Sequence, residues 1–290
     1  MGLLVKTRAT PDTPGTGYSV LYPKADGLWY FRDDVGVETP LKTPSTVMRS
    51  YLAGCTMSTA GSSTTMSIAA GSATDTTNVS AMALAAIAKT TSAWALGTAA
   101  GGLDTGSIAT NTWYAFYVIQ RPDTGVVDLT FSTNGTTPAL PTNYTLYRRI
   151  GWGRTNVTSQ WILFRQDGDR FIWAVPVHDV NANTATGSRT ARALTAPPLS
   201  VVIADIFMNT TATGVTQRTM LTSDEMNDTP VTDSSKSLSC RAANDGASAA
   251  LGARFEFRLN ASRQMYDRGD ATCNMIYNTC GWIDTRGRDA

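Results

Sequence analysis

Charge is scarce in this chain of 290 residues. Asp, Glu, Lys and Arg make up 16% of it, against a usual share of about 25%. Twenty-four Lys and Arg balance 23 Asp and Glu, for a net charge of +1, so there is no field to gather nucleic-acid phosphates, and nucleic-acid binding is excluded as an expectation. Long apolar runs are also missing. The longest, "AMALAAIA" (Ala81 to Ala88), is far short of a membrane span, and "MGLLVKTRATPDTPG" at the amino end lacks the apolar centre of a secretory signal. The expectation is a soluble chain, not exported by itself and not inserted in a membrane. Gly2 follows Met1, but Lys6 stands where a myristoylation motif needs Ser or Thr.

Metal-ligand and nucleophile patterns are equally sparse. Histidine occurs once, at His178, and none of Cys55, Cys240, Cys273 and Cys280 has C-x-x-C spacing, so neither a zinc site nor a dithiol redox motif is expected. Cys273 and Cys280 flank "NMIYNT" and could meet across a tight hairpin, while a Cys55–Cys240 bridge would close a long loop. The preferred reading is of buried thiols acting as small hydrophobes. His178 is followed by Asp179, but no G-x-S-x-G elbow accompanies them, and no catalytic residue is assigned.

What the chain does have is two-residue alternation. In "RFEFRLN", Phe255, Phe257 and Leu259 fall on one side of a strand and Arg254, Glu256 and Arg258 on the other. "WYAFYVIQRPDTGVVDLTF" predicts a hairpin turning at Pro122-Asp123-Thr124-Gly125. "QWILFRQDGDRFIWAVPVHDV" predicts another around Asp167-Gly168, with Trp161, Leu163, Phe171 and Trp173 packing on the sheet. Further strands are expected near Tyr144 to Trp152, Val201 to Met208, Gln217 to Thr222 and Gly281 to Arg286. Asn78 to Gly97 is Ala-rich enough for a helix, but its Ser, Thr and turn residues favour strands. The predicted class is all-β: an amino-terminal attachment hairpin in residues 1–45, then an antiparallel, jelly-roll-like β-sandwich in residues 46–290.

The first 45 residues stand apart. Prolines bound a stretch, "SVLYPKADGLWYFRDD", that supplies two short strands about Ala25-Asp26-Gly27. A lone hairpin is marginal in water. Tyr18, Leu21, Tyr22, Leu28, Trp29, Tyr30 and Phe31 therefore need a surface to cover them.

"YSVLYPKADGLWYFRDDVGVETPL" resembles the amino-terminal attachment segment of tailed-bacteriophage fibre and other virion appendage proteins, where a pattern "LYAK-DG-LY-(R/K)DD-G-E-PL" precedes a larger β domain. The similarity continues through Gly101 to Gly151, Gln166 to Phe171 ("QDGDRF") and Gly281 to Ala290 ("GWIDTRGRDA"). The resemblance implies a tail or head fibre component that is made in the bacterial host cytoplasm and carried on the virion. It implies a homotrimer anchored to other virion proteins through residues 1–45. The family pattern supplies no catalytic motif and no fixed cysteine, and the residues themselves call for no cofactor or metal.

Two other activities are weighed on the residues themselves. Polysaccharide cleavage needs two carboxylates about the bond, and Asp167 with Asp169 or Asp33 with Asp34 are the pairs available; turn chemistry accounts for both. Calcium at "QDGDR" would need more oxygens than two acids provide. Recognition of a host surface glycan is the better alternative, because Trp and Tyr rings stack on sugars. Trp94, Trp152 and Tyr266 fall outside the core alternation and are the candidate contacts.

Overall fold

The computed structural model describes residues 10–25, 28–40, 47–198, 202–212, 217–232, 238–242 and 249–288. They form two compact units, Met1–Val47 and Met48–Ala290. The first holds β1 (Val20–Pro23), β2 (Trp29–Arg32) and β3 (Glu38–Pro40). The second opens with short strands, β4 (Leu52–Gly54), β5 (Met57–Ser58), β6 (Thr65–Ile68), β7 (Gly71–Thr74), β8 (Ala81–Leu84), β9 (Ile87–Ala93) and β10 (Ala100–Leu103). Longer ones follow: β11 (Trp113–Gln120), β12 (Val127–Ser132), β13 (Leu146–Arg154), β14 (Phe164–Asp167) and β15 (Arg170–Asn183). The remainder are β16 (Thr190–Ala193), β17 (Ile203–Ala212), β18 (Gln217–Thr222), β19 (Leu238–Ala242), β20 (Ala249–Arg258), β21 (Gln264–Gly269) and β22 (Asn274–Ile283).

The fold is all-β, and the heart of the large unit is a seven-stranded sheet in the order β13-β11-β12-β10-β9-β6-β5. Trp161 nearly closes this sheet into a barrel. Its backbone bridges Thr155, just past β13, and Ser63, just before β6, and its N–H donates to Ser63 O at 2.8 Å. The expected antiparallel pairing fails at one strand, since β10 runs parallel to both β9 and β12. Gly101 permits the approach: a Cβ there would lie 1.9 Å from Ala93 O. Beside the barrel lie a five-stranded sheet (β14-β15-β22-β17-β20), a four-stranded one (β16-β21-β18-β19) and a small one (β4-β7-β8). Asn78 to Gly97 contains β8 and β9, so the Ala-rich stretch is extended.

β11 is a stretch from which charge is excluded altogether. Every residue from Trp113 to Ile119 is buried, because both faces of this strand are covered, and a strand covered on both faces reads as a continuous apolar run. Tyr114 and Phe116 point to one side, against Phe131 and Trp161, with centroids 5.0–5.7 Å apart within this group. Trp113 points to the other, where it meets Trp152, Trp173 and Trp282. Phe171 stacks on Trp282 at 4.9 Å with the rings 4° from parallel. The indole nitrogens of these four tryptophans have no hydrogen-bond partner among the described residues, so their side chains are held by ring packing and by Arg149, which lies 5.5 Å from the Trp152 ring.

The chain after β22 is stitched back across the unit. Asp284 is fully buried and pairs with Arg149, and its N–H donates to Asp169 O at 2.9 Å. Arg286 reaches Asp169 and Gly54 O, both at 3.2 Å, and Arg148 donates to Thr74 O, Asp75 O and Gly287 O. The strand expected over Gly281 to Arg286 therefore ends at Ile283; beyond it these polar contacts replace ladder pairing.

Candidate functional site

The amino-terminal sheet is antiparallel throughout, with Leu21 opposite Phe31, Pro23 opposite Trp29 and Tyr22 opposite Tyr30 on β1 and β2, and Arg32 opposite Glu38 on β2 and β3. Alternation gives it two unlike faces. On one, Leu21 (52% exposed), Trp29 (39%) and Phe31 (43%) stand in the open. Tyr18, Leu28, Val35 and Val37 are exposed as well.

The other face is polar and organised by Glu38. Tyr22, buried, donates its hydroxyl to Glu38, Lys24 Nζ lies 2.5 Å from the same carboxylate, and Arg32 reaches it at 3.4 Å. Lys24 also sits 4.2 Å from the centre of the Tyr30 ring. The hydrogen bonds from Lys24 and then Tyr22 hold the Glu38 carboxyl down at about 2. The turn into β3 is fixed by Asp33, which accepts from the N–H of Val35 and Val37, while Gly36 adopts φ +88°. Asp34 accepts from Gly17 N–H at 2.7 Å. Asp33 and Asp34 are thus engaged in turn and loop bonds.

Of the seven residues proposed to meet a partner, Leu21, Trp29 and Phe31 share one face, and Tyr18 and Leu28 are exposed beside the strands. Tyr22 and Tyr30 belong to the opposite, Glu38 face, and the buried Tyr22 has no ring surface to offer. Asp26 and Gly27 of the expected turn lie outside the described residues. Val35 and Val37 escaped notice because "VGV" in a turn carries no alternation; the signal was two valines flanking a turn glycine.

The candidate glycan contacts separate. Trp152 is fully buried between Trp113 and Arg149, so its ring has no open face, and it is withdrawn. Trp94 is half-buried, donates its indole N–H to Leu129 O at 3.0 Å and packs edge-on to Tyr144. Tyr266 does not line a cavity itself but hydrogen-bonds Asp224 and Asn260, which with Ser223, Glu225 and Arg258 line a surface depression of about 270 Å³. The Tyr266 hydroxyl donates to Asp224 at 2.9 Å, and Arg189 covers its ring at 4.2 Å.

Cys273 and Cys280 are free thiols. The expected hairpin between them is instead one continuous strand, β22, and seven residues at ~3.3 Å each put the two roughly 23 Å apart. Cys273 is buried beside Thr184 and Thr219, and Cys55 is buried too, its thiol pushed up to about 11 by that burial. The Cys240 side chain lies outside the described residues.

Asp169 is tied to Arg286 and Arg288, while Asp167 lies exposed near Arg165. His178 contacts Asn278, whereas Asp179 accepts from Thr195 and Thr279; neighbouring strand positions send them to different partners. Among the described residues no cluster of His, Cys, Asp or Glu is arranged to hold a metal, and no helix is long and apolar enough to cross a membrane. Comparison with known proteins found no matching family, no similar curated protein and no similar solved structure.

Proposed function

We propose that this chain is a non-enzymatic structural protein of a bacteriophage particle, a tail or head fibre component, acting as a homotrimer and anchored to other virion proteins through its amino-terminal unit. The observation that carries this reading is the pair of unlike faces on β1 and β2. Leu21, Trp29 and Phe31 are exposed together while a polar network organises the reverse side. Burying a large apolar side chain is worth about 1.5–3 kcal/mol, so three such side chains docking on a neighbour supply a substantial part of a stable attachment. The resemblance to phage attachment segments covers the same residues.

The test is assembly. Trp29→Ala combined with Phe31→Ala, or removal of residues 1–45, is expected to abolish incorporation into particles while leaving the near-ultraviolet circular dichroism of the large unit unchanged. Wild-type incorporation by either variant would overturn the anchor.

A second reading rests on the depression beside Tyr266, where Asp224, Glu225, Asn260 and Arg258 offer hydrogen-bonding groups of the kind that sugar hydroxyls take. Under it the large unit contacts host surface glycans. A glycan array with the purified chain tests this: specific signals lost in Tyr266→Ala support it, and an empty array removes it.

A further inference from the structure

Lys89 on β9 and Asp128 on β12 form the most deeply buried ion pair among the described residues, with side-chain exposures of 0% and 1%. Nζ lies 2.9 Å from Oδ1 and 3.1 Å from Oδ2, and donates to Ala95 O at 2.6 Å. Strand β10 runs between the two strands. It leaves room at Gly102, where a Cβ would come within 2.9 Å of Lys89 Cβ. The carboxylate is gripped by two backbone donors, Leu129 N–H on Oδ1 at 2.7 Å and Gly97 N–H on Oδ2 at 3.0 Å. Trp94 lies 5.5 Å from Nζ, and Tyr144 packs on Trp94 with its buried hydroxyl unpartnered.

Each part of this arrangement suits a condensation. Burial lowers the Lys89 pKa, against the pull of Asp128, and a desolvated lysine amine is a competent nucleophile. The amine is held against the group it would attack, which removes the entropic cost of bringing them together. The two backbone N–H groups polarise the carboxyl and would stabilise the oxyanion of a tetrahedral intermediate. Two charges withdrawn from water are an expensive way to join strands; a neutral amide removes both.

We propose that Lys89 and Asp128 condense into an amide, cross-linking β9 to β12 inside the barrel. A proton passes from the ammonium to the carboxylate, Nζ attacks Cγ, the C–N bond forms and one C–O bond breaks. Of the three ammonium hydrogens, one stays on the amide nitrogen and two leave with the departing oxygen as water, so no oxidant or other reactant is required. The amide N–H keeps its acceptor at Ala95 O, and the remaining oxygen keeps a backbone donor. This goes beyond the anchoring reading and stands or falls without it.

Intact-mass spectrometry of the purified full chain tests it. The expected mass is that of the sequence, with or without Met1, less one water. Trypsin locates the loss. Between Arg49 and Arg148 the only ordinary tryptic site is Lys89, because Arg121 precedes Pro122, so the cross-linked chain yields a single peptide, 50–148, one water light. Lys89→Arg keeps the charge without the nucleophile and is expected at full sequence mass. If that variant does not fold, the wild-type digest decides alone. Full sequence mass with cleavage after Lys89 in the denatured wild-type chain would overturn the proposal.

Discussion

Two carboxylates show how differently the units are built. Glu38 lies at the surface of a small sheet and gathers Tyr22, Lys24 and Arg32 around it. Asp284 is fully buried in the large unit and meets Arg149 at 3.1 Å through its second oxygen, with Arg286 N–H capping it at 2.9 Å. In the first unit large apolar side chains are outside; in the second, charges are inside. An exposed ion pair is worth about 1 kcal/mol or less, whereas losing one partner of a buried pair costs roughly 3–5 kcal/mol. The ion pairs of the small sheet therefore contribute little to its stability, whereas those buried in the large unit are costly to break.

The contrast can be broken at several points. The largest effect is expected from Trp282→Ala, which empties the centre of the aromatic cluster and should cost about 3–5 kcal/mol in chemical denaturation of the large unit. Asp284→Ala leaves Arg149 buried without its carboxylate, and a loss of roughly 3–5 kcal/mol is expected by the same measurement. A change below about 1 kcal/mol would show that water reaches Arg149 and that the pair is not truly interior.

The smallest effect lies in the first unit and is read by pH. Folding depresses the Glu38 pKa from its ordinary 4.5 to about 2. The unfolded chain therefore binds the proton first as pH falls. Stability from Glu38 is complete above about pH 4.5 and fades towards about pH 2. Trp29 fluorescence should report loosening of the small sheet across that window, and Glu38→Gln should remove the acid dependence. A Glu38 carboxyl titrating near 4.5 by NMR would rule the network out.

Local chemistry made much of the fold legible. The β11–β12 hairpin lies where Pro122 and Gly125 place a turn, and β14–β15 turns where Gly168 takes φ +59°. In β20, Arg254, Glu256 and Arg258 are exposed and Phe255 and Phe257 pack on the core, as their alternation predicts. What escaped was long-range. Nothing in the residues around Ala100 announces parallel neighbours, and Trp161 looks like any strand tryptophan until Ser63 and Thr155 are brought to it. Trp152 looks like a surface ring because it falls outside the core alternation, and Gly151 and Gly153 on either side add no apolar neighbour to place it. Those glycines instead make room for rings and thioethers, since a Cβ at Gly151 would meet Met57 Sδ at 2.7 Å. Of the candidate anchor, the residues themselves showed which side chains are apolar but not which face stays open, because the polar face is made by Glu38 of β3 reaching Tyr22, Lys24 and Arg32.

Arg286 and the Gly54 carbonyl it grips stand 232 positions apart, so this contact joins a segment that follows β22 to one near the start of its unit. Contacts of such wide separation close late and slow the search for the native state. On the ribosome, the earlier strands must wait, incompletely fastened, until translation delivers the segment that locks them.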